Sequence, residues 1–147
     1  MERSPITQAV LLVGGLGTCL RPLTYLRPKA LLPLLNRPLI SYELELFARY
    51  VITDIIMAVG YGADQIRREI GDGSHWGVNI RYVLEEERLD TAGAIKNCQQ
   101  YLDGPFFACN GDLVYDFNPT EMVRFHLQRS AMVTFCLRRV EDISPFG

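Results

Sequence analysis

Gly14 to Thr24 read Gly-Gly-Leu-Gly-Thr-Cys-Leu-Arg-Pro-Leu-Thr and follow an apolar run. Three glycines in four residues, Gly14, Gly15 and Gly17, permit left-handed backbone and close approach of another group. Successive amides in such a loop can converge on an anion such as phosphate. Arg21 and Lys29 follow and add positive charge. A tight strand-to-helix turn without a ligand fits the same glycines. Two other nucleotide loops do not fit. A P-loop needs Lys-Ser or Lys-Thr, which the chain lacks. The dinucleotide fingerprint GxGxxG needs a third glycine where Leu20 stands.

The soft and titratable residues carry less. Cys19, Cys98, Cys109 and Cys136 form no CxxC pair, which argues against a zinc knuckle or a thioredoxin-type motif. Cys109 and Cys136 lie in apolar runs and are expected to be buried. His75 is expected in a loop and His126 on a helix face.

The elements that must position the loop alternate in type. Thr7 to Val13 reads as a buried strand ending at Gly14-Gly15. Ser41 to Tyr50 has helical spacing, with Pro38 at its entry. Asp54 to Val59 is a second strand, and Asp64 to Ile70 a short helix stopped by Gly71. Val78 to Leu84 alternates as a strand does. Thr91 can cap a helix running to about Leu102, and Phe106 to Cys109 begins another strand. Asn118-Pro119 starts a helix whose apolar side holds Met122, Phe125 and Leu127. Ala131 to Val140 alternates as a last strand.

Strand and helix thus alternate about five times. The expected class is α/β, with a Rossmann-like, mostly parallel sheet and helices on both faces. In such sheets ligands bind beyond the carboxyl ends of the strands, where strand order switches.

Bulk composition sets the outer limits. The chain has 147 residues, 48% hydrophobic and 22% charged, with a net charge of −2. That balance suits one ordinary globular domain over residues 1–147 and offers no basic field for nucleic acid. No apolar run reaches a membrane span, and Met1 to Pro5 lacks the apolar core of a signal peptide, so a cytoplasmic protein is expected.

VGGLGTCLRPLT, followed by Pro28-Lys29-Ala30-Leu31-Leu32-Pro33, resembles the GGxGTRLxPLT and PKPLLP signature of the sugar-1-phosphate nucleotidylyltransferases. Asn36 to Ile40 is similar to the family's NKPMI segment. Gly71 to Val78 resembles GDGSxxGV, Glu85 to Ala94 resembles ExxPLGTAGA, and Asn110-Gly111-Asp112 resembles the family's NGD. The wording is nearest to the mannose-1-phosphate guanylyltransferase-like branch. The resemblance implies attack of a sugar 1-phosphate on the α-phosphorus of a nucleoside triphosphate, GTP and mannose 1-phosphate being the expected pair. It implies that amides around Gly14, Gly15 and Gly17, with Thr18 and Cys19 beside them, hold the triphosphate. Lys29 and Arg21 would neutralise phosphate charge, and Asp112 would hold Mg²⁺. Glu85 would accept from the base, with Thr91 and Gly93 at the helix start near base and ribose.

Three departures stand out. Cys19 occupies the place of the motif arginine, which binds phosphate, and cannot supply a guanidinium fork. Arg21, two residues on, could stand in for it. Asp90 replaces a glycine and Arg88 a proline; a carboxylate there would repel phosphate or accept from a ribose hydroxyl. Ser144-Pro145-Phe146-Gly147 resembles the start of the family's next strand, so the fold is expected to be C-terminally incomplete. Association through the open sheet edge, as a homo-oligomer or with a partner, is expected too. The competing reading is a catalytically impaired nucleotide-binding regulatory or partner protein, lacking the motif arginine and the second half.

Overall fold

The computed structural model describes residues 6–142 and residue 144. Met1 to Pro5 and Pro145-Phe146-Gly147, read above from sequence, lie outside the described residues. Two compact units divide between Phe117 and Asn118.

The first unit is built on strand β1 (Gln8–Val13). A short hairpin follows, β2 (Pro33–Leu34) with β3 (Arg37–Pro38), and then helix α1 (Leu39–Arg49). Next come β4 (Asp54–Val59), α2 (Ala63–Ile70), β5 (Asn79–Leu84), α3 (Asp90–Asn97) and β6 (Phe107–Asn110). The sheet runs β5-β4-β1-β6, and every pairing in it is parallel. The chain winds outward from β1 through β4 to β5, then returns to the other side of β1. The switch in strand order thus falls between β1 and β6.

Sequence explains the burial. β1 and β4 are flanked by strands and covered on both faces, so QAVLLV and DIIMAV read as continuous apolar runs. Val10, Ile56, Ala58 and Val83 pack on one face against Ala94 and Cys98. Ile40 of α1 meets Val13 and Leu11 on the opposite face, and the Phe47 ring lies 5.8 Å from Phe107. Gln8 is buried among these strands, and its amide is satisfied. Nε2 donates to Asp54 Oδ2 at 2.7 Å and to the Tyr101 carbonyl, while Oε1 accepts from the Asp103 amide.

Several local expectations are corrected. The hairpin was not foreseen. Its turn residues Leu35 and Asn36 both have left-handed φ, 49° and 63°, without the glycine that usually signals such a turn. Helix α3 starts at Asp90, with Leu89 rather than Thr91 at its N-cap, and stops at Asn97 before a 3₁₀ turn over Gln99–Tyr101.

In the second unit, α4 spans Pro119–Gln128. Asn118 Oδ1 accepts from the amides of Thr120 and Glu121, capping it as the Asn-Pro pair predicts. Pro119 and Val123 are buried, whereas Phe125 and Leu127 are about half exposed. His126 accordingly sits on the helix, with Nδ1 2.9 Å from Thr134 Oγ1. Residues 131–140 form no strand, and Val133, Phe135, Leu137 and Cys136 are exposed. Alternation marks a segment that can be a strand. A ladder partner is also required, and none exists for it among the described residues.

Candidate functional site

The register of the sheet brings four strand ends to one level. Val13 pairs with Val59, and Val59 with Leu84, so Gly14, Gly60 and Glu85 follow in a row. On the other side Leu12 pairs with Asn110, so Gly111 and Asp112 stand next to Val13 and Gly14. The ladder continues one step past the strands, with the Glu85 amide donating to Val59 O and the Gly111 amide to Leu12 O. Gly14, Gly111 and Asp112 therefore stand at the switch point, and Glu85 follows in the same row two strands from β1.

Two groupings form there. At the first, Lys29 Nζ lies 3.0 Å from Asp112 Oδ2, and the pair lines a small depression with Gly15, Leu12, Val13 and Ala30. Both ends are held by backbone. Lys29 starts a 3₁₀ turn, with Leu32 N–H donating to its carbonyl. Asp112 follows Gly111, where any Cβ would collide with Val13 and Ile40. Gly17 has φ +61°, and a side chain there would meet Thr24 and the Cβ of Lys29. Thr24, itself buried, donates its hydroxyl to the Gly17 carbonyl at 2.8 Å and fixes the loop.

The second grouping is Gly14 with Glu85. The Glu85 carboxylate covers the Cα of Gly14, 2.8 Å from where a Cβ would stand. Burial raises the Glu85 pKa above its ordinary value, and the Asp90 charge adds to this against a hydrogen bond from the Leu89 backbone. Cys98 lies behind it, fully buried, its thiol pushed up to about 11 by burial and then by the Glu85 charge.

The other expected residues are spread around these two. Thr18 and Cys19 lie exposed on a 3₁₀ turn. The Arg21 guanidinium stacks on the Tyr25 ring at 5.3 Å instead of lining the Lys29–Asp112 depression. Thr91 is exposed in the first turn of α3, and Gly93 packs on Leu89 with no room for a Cβ.

Sequence reasoning missed Glu43. It lies on α1 at a core position, 1% exposed. Its carboxyl oxygens have no partner at normal hydrogen-bond distance among the described residues, and the neighbouring Cys109 side chain, by hydrogen bonding, works against the rise of its pKa. Burial, reinforced by the Asp112 charge, holds its pKa well above the usual range. The signal was available, because Glu43 falls in the apolar stripe of Ile40, Leu44 and Phe47.

The residues fit a hard cation only in one way. Among the described residues no three His, Cys, Asp or Glu side chains cluster as a metal cage. Asp112 offers a single carboxylate beside the glycine loop. Mg²⁺ commonly binds through one or two carboxylates, substrate phosphates and water.

The family model described as nucleotidyl transferase matches residues 8–147. A mannose-1-phosphate guanyltransferase of Gibberella zeae is 35% identical over 144 residues, covering 95% of this chain and 40% of that protein. One of Candida albicans is 37% identical with the same coverage. The chain thus spans about 40% of the length of these relatives. The crystal structure of HddC from Yersinia pseudotuberculosis complexed with GMP-PN superposes with a TM-score of 0.70 at 27% identity, covering 83% of this chain and 55% of that one.

Proposed function

The chain belongs to the nucleotidyl transferase family, and from that premise we propose that it binds a magnesium–nucleoside triphosphate as part of a sugar-1-phosphate guanylyltransferase. The observation that carries this reading is the convergence of Gly15, Lys29 and Asp112 at the switch between β1 and β6, with Glu85 against Gly14 alongside. Mannose 1-phosphate is the acceptor the relatives' names suggest.

The roles follow from the chemistry of each group. Amides of the glycine loop bind the triphosphate, where a Cβ on Gly14 would push into Glu85. Lys29 is a point cation for phosphate oxygens. Asp112 is the carboxylate for Mg²⁺, which when bound neutralises phosphate charge. Glu85, beside Gly14, accepts from the two adjacent donors of guanine, N1–H and the 2-amino group. The GMP-PN held by the HddC structure agrees with a guanine nucleotide. Transfer of this kind depends on positioning and charge neutralisation more than on a covalent nucleophile.

Pyrophosphate release, measured with GTP, dTTP, UTP, CTP and ATP against common sugar 1-phosphates, tests the reading. Turnover is expected with GTP and mannose 1-phosphate. Retained Mg-nucleotide binding with no turnover for any pair would instead favour the binding-protein alternative, to which Cys19 points.

A further inference from the structure

Lys29 and Asp112 are each other's partner. Their side chains are 18% and 32% exposed, and the cation assigned to phosphate already holds the carboxylate assigned to metal. The backbone at both ends is closely held. The Lys29 Cβ stands beside Gly17 in a 3₁₀ turn, and the backbone before Asp112 runs so close to Val13 and Ile40 that only glycine fits there. The Arg21 guanidinium is engaged on Tyr25 and does not compete for Asp112.

This arrangement treats single and joint ligands differently. A divalent cation arriving alone must displace the ammonium and then remain beside it as a like charge. A triphosphate arriving alone must displace the carboxylate and lie against it. Cation and triphosphate together exchange one ion pair for two opposite-charge contacts, and no like charges are left facing each other. We infer that the Lys29–Asp112 ion pair is a charge latch that couples divalent-cation binding to triphosphate binding and disfavours either ligand alone. The inference rests on the reading of Asp112 and Lys29 given above.

Its test is binding, with no turnover needed. Mn²⁺ alone is titrated into the 147-residue chain and followed by water-proton relaxation. Tripolyphosphate alone, in chelator, is followed by calorimetry. Wild type, Lys29→Met and Asp112→Asn are compared, and far-UV circular dichroism establishes that each is folded. Lys29→Met should bind Mn²⁺ about tenfold more tightly than wild type, and Asp112→Asn should bind metal-free tripolyphosphate about tenfold more tightly. If either affinity stays level or falls, the latch is overturned. Loss of Mn²⁺ binding in Asp112→Asn would then leave the metal role of Asp112 standing. Wild-type Mn²⁺ binding by Asp112→Asn would overturn both.

Discussion

The Glu85 carboxylate rests on the Cα of Gly14, 2.8 Å from the place a β-carbon would take, although the two residues leave strands separated in the sheet by β4. Gly14→Ala should therefore turn Glu85 away from the wall of the site. The expected result is about a tenfold loss of preference for Mg-GTP over Mg-ATP, with smaller loss of overall triphosphate affinity. Competition binding of the two nucleotides measures it. Unchanged preference would remove Glu85 from base recognition.

Gly111 has the same kind of constraint for a different purpose. A methyl group there meets Val13 and Ile40 in the packed face under α1. Gly111→Ala should destabilise the chain by about 1–3 kcal/mol through overpacking. It should also shift Asp112. Chemical denaturation checks the first effect, and Mn²⁺ binding the second.

Glu43 gives a pH prediction. Its pKa is raised in the folded state above the ordinary value of 4.5. Between these two values the folded chain holds more protons than the unfolded one, so stability falls as pH rises from about 4.5 through the folded-state pKa. Asp112, Cys109 and Tyr115 are the titratable neighbours. Glu43→Gln removes this loss. It should raise stability at pH 8 and leave it unchanged near pH 4. Melting curves of both proteins across that range decide it, and parallel curves would contradict a buried ionisable Glu43.

Cys19 is exposed on its turn, so Cys19→Arg should be accommodated within about 0.5 kcal/mol of stability. A guanidinium at that position should raise triphosphate affinity or turnover, by up to ~10²-fold if it reaches charge developing on the leaving pyrophosphate. No change, or a loss, would mean that the loop has been put to another use.

Legibility followed physics at each element. β1 and β4 were plain because strands buried on both faces give unbroken apolar runs, and glycines marked where each ended. Asn118-Pro119 was plain because cap chemistry is local. The hairpin was not, since Leu35 and Asn36 take left-handed backbone without glycine. The left-handed φ of 54° at Asp90 accounts for the glycine in the family pattern there, and it begins α3 one residue before the expected cap. The alternation over residues 131–140 misled because pairing is a property of neighbours, not of the segment. Within the site, loop and charge were legible from the motif. The Lys29–Asp112 contact and the burial of Glu43 were not, because both join residues far apart in the chain.

A crystal structure of this chain with Mg-GTP tests the central claim most directly. Guanine is expected beside Gly14 with its N1–H and amino group on Glu85, phosphates on the loop and Lys29, and the metal on Asp112. Nucleotide bound away from the β1–β6 switch, or phosphates held there without Lys29 and Asp112, would contradict it.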